Sequence, residues 1–113
     1  METIKSKQDF ERVFRSGRRV NHKLVRMTVL RPDEGGRSRV AFVAPKRLGN
    51  AVFRNRCKRV LREAARAAGL PLEGWDIILF ATRATHDSRP EELVPAIERL
   101  LARAERSGRD GVR

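Results

Sequence analysis

Pro45-Lys46-Arg47-Leu48-Gly49-Asn50-Ala51-Val52-Phe53-Arg54-Asn55-Arg56-Cys57-Lys58-Arg59-Val60-Leu61-Arg62-Glu63-Ala64-Ala65-Arg66 is the stretch around which the chain is organised. No acidic residue occurs from Gly35 through Arg62, and between Lys46 and Arg66 eight basic side chains meet one acid, Glu63. Wound at about 3.6 residues per turn from Ala51 onward, the stretch separates into two faces. Phe53, Cys57, Val60, Leu61, Ala64 and Ala68 form an apolar stripe. Arg54, Lys58, Arg59, Arg62 and Arg66 fall opposite, with Asn55 among them. Asn50 after Gly49 is a suitable N-cap, and Gly69 with Pro71 stops the helix. A solvated helix face usually interleaves Glu with Lys for i,i+4 support. Here it scarcely does, and like charge gathered on one face costs stability unless a polyanion neutralises it. The face is therefore read as a nucleic-acid contact rather than as surface that serves solubility alone.

The composition agrees. With 113 residues the chain suits one domain, expected over residues 1–106 with a frayed tail at 107–113. Lys and Arg number 26 against 14 Asp and Glu, a net charge of +12, which meets the electrostatic criterion for a nucleic-acid binder. Arginine suits bidentate phosphate contact better than lysine does. A hydrophobic fraction of 40% is enough for a core, so the chain is not a disordered basic tail. The lone Cys57 excludes an internal disulfide and a multi-cysteine zinc site, and its place on the stripe assigns it to packing. No apolar run reaches the length of a membrane span and no signal peptide precedes the first helix, so a cytoplasmic protein is expected.

Ser6-Lys7-Gln8-Asp9 reads as a helix start, with Ser6 as cap and Asp9 reaching back. Phe10, Val13 and Phe14 recur at helical spacing and Gly17 closes the segment. Arg12, Arg15, Arg18 and Arg19 surround the two phenylalanines. Spacing alone leaves two readings open, ordinary core or a platform on which bases stack while cations hold phosphates. Lys23 to Arg31 alternates as a strand, with Val25, Met27 and Val29 on one side and Leu24, Arg26, Thr28 and Leu30 on the other. Pro32-Asp33-Glu34-Gly35-Gly36 is turn chemistry, so an antiparallel hairpin with a strand at Arg39 to Ala44 is expected. Asp76 to Thr82 is continuously apolar and suits the sheet interior. Glu91 to Arg106 is helical on a stripe of Leu93, Ile97, Leu100, Leu101 and Ala104, with a late start or a kink expected at Pro95. The order αββαβα gives an α+β domain in two layers. A right-handed crossover would follow if the strands flanking the basic helix were parallel neighbours.

Lys46-Arg47-Leu48-Gly49-Asn50-Ala51-Val52-Phe53-Arg54-Asn55-Arg56-Cys57-Lys58-Arg59 closely resembles the signature of the protein subunit of bacterial ribonuclease P. Asp9-Phe10-Glu11-Arg12-Val13-Phe14 with Gly17 is similar to that family's first helix, and Trp75-Asp76-Ile77-Ile78 to its later strand. The resemblance implies a two-layer α/β sandwich of ribosomal-protein-like fold, with a left-handed crossover that would overrule the handedness expectation. It implies a catalytic RNA as partner and, with bound Mg²⁺ carried mainly by that RNA, removal of the 5′ leader from precursor tRNA. The polypeptide itself would carry no catalytic residue and no metal ligand, and no obligate protein partner or membrane is implied. Lys46, Arg47, Asn50, Arg54, Asn55, Arg56, Lys58, Arg59 and Arg62 would face the catalytic RNA. A cleft between the first helix and the sheet would hold the leader, with Phe10, Phe14, Met27, Arg12 and Arg15. Met27 stands where many members carry an aromatic, and a thioether offers no flat stacking face. Thr3-Ile4-Lys5 replaces the basic and leucine positions common upstream.

A self-sufficient nuclease would need clustered carboxylates or a general acid and base within mutual reach. Asp9, Glu11, Asp33, Glu34 and Asp76 are scattered, and His22 and His86 carry no motif. The rival from another class is a structural rRNA-binding protein of ribosomal type, which the charge and the helix would suit equally. Phe10 and Phe14 together with Gly49-Asn50 and Arg54-Asn55-Arg56 are the features that discriminate.

Overall fold

The computed structural model describes residues 1–110, with side chains through Arg106. Helix α1 (Lys7–Ser16) is followed by strands β1 (Arg18–Asn21), β2 (Val25–Leu30) and β3 (Arg39–Val43), helix α2 (Ala51–Ala67), strand β4 (Asp76–Ala81) and helix α3 (Pro90–Asp110). The strands form one sheet in the order β1-β2-β4-β3. β1 and β2 are antiparallel, as are β2 and β4, whereas β3 and β4 run parallel. The mixed α+β architecture is the expected one, with one strand more than the sequence suggested. Among the described residues, no helix is long and apolar enough to cross a membrane.

The expected β2/β3 hairpin does not form, because β4 lies between those strands. The turn chemistry does act locally: Pro32–Glu34 makes a single 3₁₀ turn, closed by Gly35 at φ 99°. However, β4 is apolar on both faces. Ile77 and Leu79 belong to one core cluster and Ile78 and Phe80 to the other, and a strand with two faces to bury takes the sheet interior. The outer edge of β3 is covered by the start of the chain. Ile4 N–H donates to Val40 O at 3.0 Å and Val40 N–H to Glu2 O at 3.1 Å, a parallel bridge that leaves less unpaired edge.

Period-two alternation sorts the sheet into two cores. Val25, Met27, Val29, Val40, Ile77 and Leu79 face α2 and α3, against Cys57, Val60, Leu61, Leu93, Ile97 and Leu100. Each fully buried Leu or Ile of this layer contributes about 1.5–3 kcal/mol. Leu30, Ala41 and Ile78 face the other way and meet Val13 and Phe10, so α1 crosses the opposite side of the sheet. Gly17 ends α1 where the chain passes against the sheet. A Cβ there would stand 2.5 Å from Val13 O and 2.8 Å from Val29 O.

Several local expectations change. Ser6 Oγ does accept from Asp9 N–H at 2.9 Å, but the Asp9 carboxylate bonds Arg39 instead of reaching back. Pro95 lies inside α3, which begins at Pro90, so there is no late start. The α3 backbone runs on through Asp110, and the rest of the expected tail, 111–113, lies outside the described residues.

Candidate nucleic-acid interface

Helix α2 begins at its expected cap, where Asn50 Oδ1 accepts from Phe53 N–H at 2.9 Å. The Phe53 ring is clasped between two groups. A Cβ on Gly49 would stand 3.0 Å from it and press the ring aside by a few tenths of an ångström, and His86 stacks on it at 4.0 Å with the planes 5° apart. Arg56 Nε donates to His86 O at 2.8 Å, tying the same loop to the helix. His86, read from sequence as an ordinary loop residue, thus helps fix the start of α2. Cys57, Val60, Leu61, Ala64 and Ala65 are buried beneath, and burial pushes the Cys57 thiol up, which leaves it protonated and inert.

Asn55, Arg56, Arg59, Arg62 and Arg66 are exposed on α2, as are Lys46, Arg47 and Asn50 before it, while Arg54 and Lys58 are half-buried. Among the described residues, none of these cations has an acid within ion-pair distance. The acids that do pair are engaged elsewhere. Asp76 is fully buried and receives Arg39, Arg12 and the backbone N–H groups of Arg37 and Arg39. Asp9 pairs with Arg39 at 2.9 Å and Glu34 with Arg18 at 2.7 Å. The Arg39 fork holds the Asp9 carboxyl below its ordinary value, and Asp76 in turn raises Arg39. Among the described residues, no three His, Cys, Asp or Glu side chains gather into a group that could hold a metal ion. Among the described residues, Lys46, Arg47 and the cations of α2 thus form a continuous basic run without an internal acid partner, with Glu63 as the one acid among them.

The face of the sheet that carries α1 is only partly covered by it. Ten residues of helix span about 15 Å, less than a six-residue strand at about 20 Å. The uncovered remainder is a groove of about 370 Å³ bordered by Phe14, Arg19, Arg26, Thr28, Arg47 and Phe80, among others. Phe14 is 39% exposed, an unusual state for a large aromatic. Its ring meets Phe80 at 5.8 Å and carries the Arg19 guanidinium 4.5 Å from its centroid. Phe10 stacks behind Phe14 at 6.3 Å but is half-buried against the smaller core. Aromatic faces beside arginines, on the open part of a sheet, can take stacked bases and their phosphates.

Three expected cleft residues are placed differently. Met27 borders the groove as expected, but it is 1% exposed and its side chain packs with Val25 and Val29 in the larger core, under α2 and α3. Alternation explains this: on β2 the groove face belongs to Arg26 and Thr28, so Met27 does not replace a stacking aromatic. Arg12 turns to Asp76 at 3.5 Å and to Gly35 O at 3.4 Å. Arg15 and Arg12 border a separate polar hollow with Gln8, Glu11 and Arg37. The aromatic partner that the sequence reading missed is Phe80. It is the register partner of both Arg26 and Val43, and the continuous apolar run of β4 concealed that alternate residues face the groove. Arg19, read from sequence among the arginines around the two phenylalanines, stands on β1, the strand that the sequence reading missed. Arg47, expected only on the catalytic-RNA side, borders the groove as well.

A family model described as Ribonuclease P matches residues 1–105. The chain belongs to the ribonuclease P protein family. It is 38% identical over 109 residues to the ribonuclease P protein component of Symbiobacterium thermophilum, covering 96% of this chain and 95% of that one. It is 37% identical to the corresponding protein of Herpetosiphon aurantiacus, with 90% and 83% covered. Among solved structures, the Staphylococcus aureus RNase P protein superposes with a TM-score of 0.72 at 28% identity, covering 92% of this chain and 95% of that one. The Thermotoga maritima RNase P protein shares the fold, with a TM-score of 0.71 at 22% identity, covering 91% and 97%. Membership in the ribonuclease P family makes this chain a protein component of a ribonucleoprotein, with RNA as partner.

Proposed function

We propose that the chain is the protein subunit of a ribonuclease P holoenzyme that removes the 5′ leader from precursor tRNA, with two surfaces serving two RNAs. The observation that carries this reading is the cationic face of α2, none of whose cations pairs internally. Lys46, Arg47, Arg54, Arg56, Lys58, Arg59 and Arg62 hold phosphates of the catalytic RNA, while the amides of Asn50 and Asn55 add hydrogen bonds. The groove at Phe14 and Phe80 takes the single-stranded leader. Stacking is worth about 1–3 kcal/mol per base and needs no sequence readout, which suits an enzyme serving many leaders. Mature tRNA has no leader to place there, so substrate is held more tightly than product.

The phosphodiester chemistry is assigned to the RNA and its Mg²⁺. Among the described residues, the carboxylates Asp76, Asp9 and Glu34 are engaged by arginines. The chain's own residues bind, position and neutralise.

Reconstitution tests the reading. The purified chain is mixed with a bacterial ribonuclease P RNA and a precursor tRNA at low Mg²⁺, and leader release is followed. The expected result is faster cleavage than with RNA alone and none with the polypeptide alone. No gain over RNA alone, combined with firm binding to ribosomes, would instead identify a structural rRNA-binding protein.

A further inference from the structure

Phe53 and Arg56 lie three residues apart on α2, so they stand on one side of the helix, a turn from each other. A single residue of the chain between β4 and α3 meets both. The His86 ring lies flat on Phe53, at 4.0 Å and 5°, and the His86 carbonyl accepts from Arg56 Nε at 2.8 Å. Ring and carbonyl belong to one residue, so whatever fixes the ring helps to fix the acceptor.

The surrounding loop leaves that carbonyl for Arg56. Ser88 engages the two acceptors before it, its N–H donating to Thr85 O at 3.1 Å and its hydroxyl to Ala84 O at 2.8 Å. Thr85 is buried, and its Oγ1 donates to Leu24 O at 2.6 Å, which ties the turn Arg83–Thr85 to the chain before β2 and not to the helix. Nδ1 of His86 lies 2.8 Å from Asp87 Oδ1, so the imidazole is steered from its own side of the contact as well. The stack and the Arg56 bond are what link His86 to α2.

Arg56 itself is exposed, and among the described residues no acid lies within ion-pair distance of it. A guanidinium held at Nε keeps its two Nη groups as a planar fork, which matches two oxygens of one phosphate. Fixing the side chain beforehand lowers the ordering cost when a ligand arrives, so affinity rises without an added contact.

We infer that His86 is a positioning residue for the catalytic-RNA contact: stacked on Phe53, it holds its carbonyl where it anchors Arg56 Nε and presets the Arg56 fork for a phosphate. The inference rests on the reading of α2 as the catalytic-RNA face and adds to it a residue outside the basic run. His86 acts here through Arg56 and touches no RNA.

The test uses the full chain with a bacterial ribonuclease P RNA and has two readouts, the dissociation constant for that RNA and the solvent exchange of the Arg56 Nε–H proton followed by NMR. The variants are His86→Ala, His86→Phe, Arg56→Gln and the double variant His86→Ala with Arg56→Gln, each shown to be folded by urea denaturation. Arg56→Gln is expected to weaken RNA binding about tenfold and His86→Ala about fivefold, the scale of one hydrogen bond to a charged group. His86→Ala also speeds exchange at Arg56 Nε. His86→Phe, which keeps a flat ring without imidazole nitrogens, returns both readouts to the wild-type values. In the double variant the loss equals that of Arg56→Gln alone, because the two residues act as a unit. If His86→Ala binds RNA like wild type while Arg56→Gln does not, the positioning role is wrong and the Arg56 contact stands. Additive losses, or no recovery with His86→Phe, overturn it as well, by giving His86 a contact of its own. If Arg56→Gln binds like wild type, the α2 contact at Arg56 falls and the positioning role falls with it.

Discussion

Arg39 grips Asp76 from the neighbouring strand as a fork, with Nη2 2.9 Å from Oδ2 and Nε 3.3 Å from Oδ1, and the carboxylate is fully buried. The two are register partners in the β3–β4 pair, and the same carboxylate also accepts from the backbone N–H groups of Arg37 and Arg39. Removing one partner of a buried pair leaves an uncompensated charge. Arg39→Met is therefore expected to lower unfolding free energy by about 3–5 kcal/mol in urea denaturation. A loss below about 1 kcal/mol would mean that the backbone donors and Arg12 hold Asp76 unaided.

The outer member of this network gives a pH signature. The hydrogen bond from Arg39 holds Asp9 below its ordinary value of 3.8; burial opposes that shift, and the charges of Arg39, Arg37 and Arg12 add to it. The unfolded chain then binds the proton first as pH falls, so the stability from Asp9 is complete above the ordinary value and is lost through the depressed one. Comparing Asp9→Asn with wild type should show a gap in urea midpoint at pH 7 that closes as the solution is taken below about pH 4. A gap that does not change with pH would contradict the ion pair.

Asn50 separates capping from binding. Asn50→Ala loses the cap to Phe53 N–H and should cost about 1 kcal/mol of stability. Asn50→Asp keeps an acceptor at the helix start and should leave stability within about 0.5 kcal/mol of wild type. Its new negative charge among Lys46, Arg47 and Arg54 should nevertheless weaken catalytic-RNA binding. Unchanged affinity for Asn50→Asp would remove this corner from the interface.

Phe14 and Arg59 should fail in different ways. Phe14→Ala should weaken precursor tRNA binding to the holoenzyme by about 1–3 kcal/mol and leave mature tRNA unaffected. Equal loss for both would refute the groove assignment. Arg59→Gln should weaken catalytic-RNA binding and make its salt slope shallower by about 0.9. A steep slope that survives this change would exclude a direct phosphate contact.

What could be read from the sequence was whatever is local. Asn50, the stripe through Cys57, Val60 and Leu61, and the cationic face opposite follow from helical periodicity, and all stand where expected. Two-residue alternation correctly divided Met27 from Arg26, but it could not say which face α1 would cover, so it did not show that Met27 borders the groove while its side chain enters the larger core. Arg18–Asn21 carries two arginines and a single buried Val20, and it becomes a strand only through its partners on β2. The hairpin expectation failed for a related reason. The turn after β2 is real, yet the strand that pairs with the other edge of β2, opposite β1, arrives more than forty residues later in the chain, beyond the reach of turn chemistry. The bonds of Arg12 and Arg39 to Asp76 are equally non-local, and they decide which arginines remain available to a ligand.

The bridge between Thr3 and Val40 makes the first residues part of the sheet. Trimming them, or fusing a bulky tag ahead of them, would strip the flank of β3 and leave its main-chain donors and acceptors bare. Bare flanks recruit other chains, so such a preparation would be prone to self-association while its RNA-facing helix remained intact.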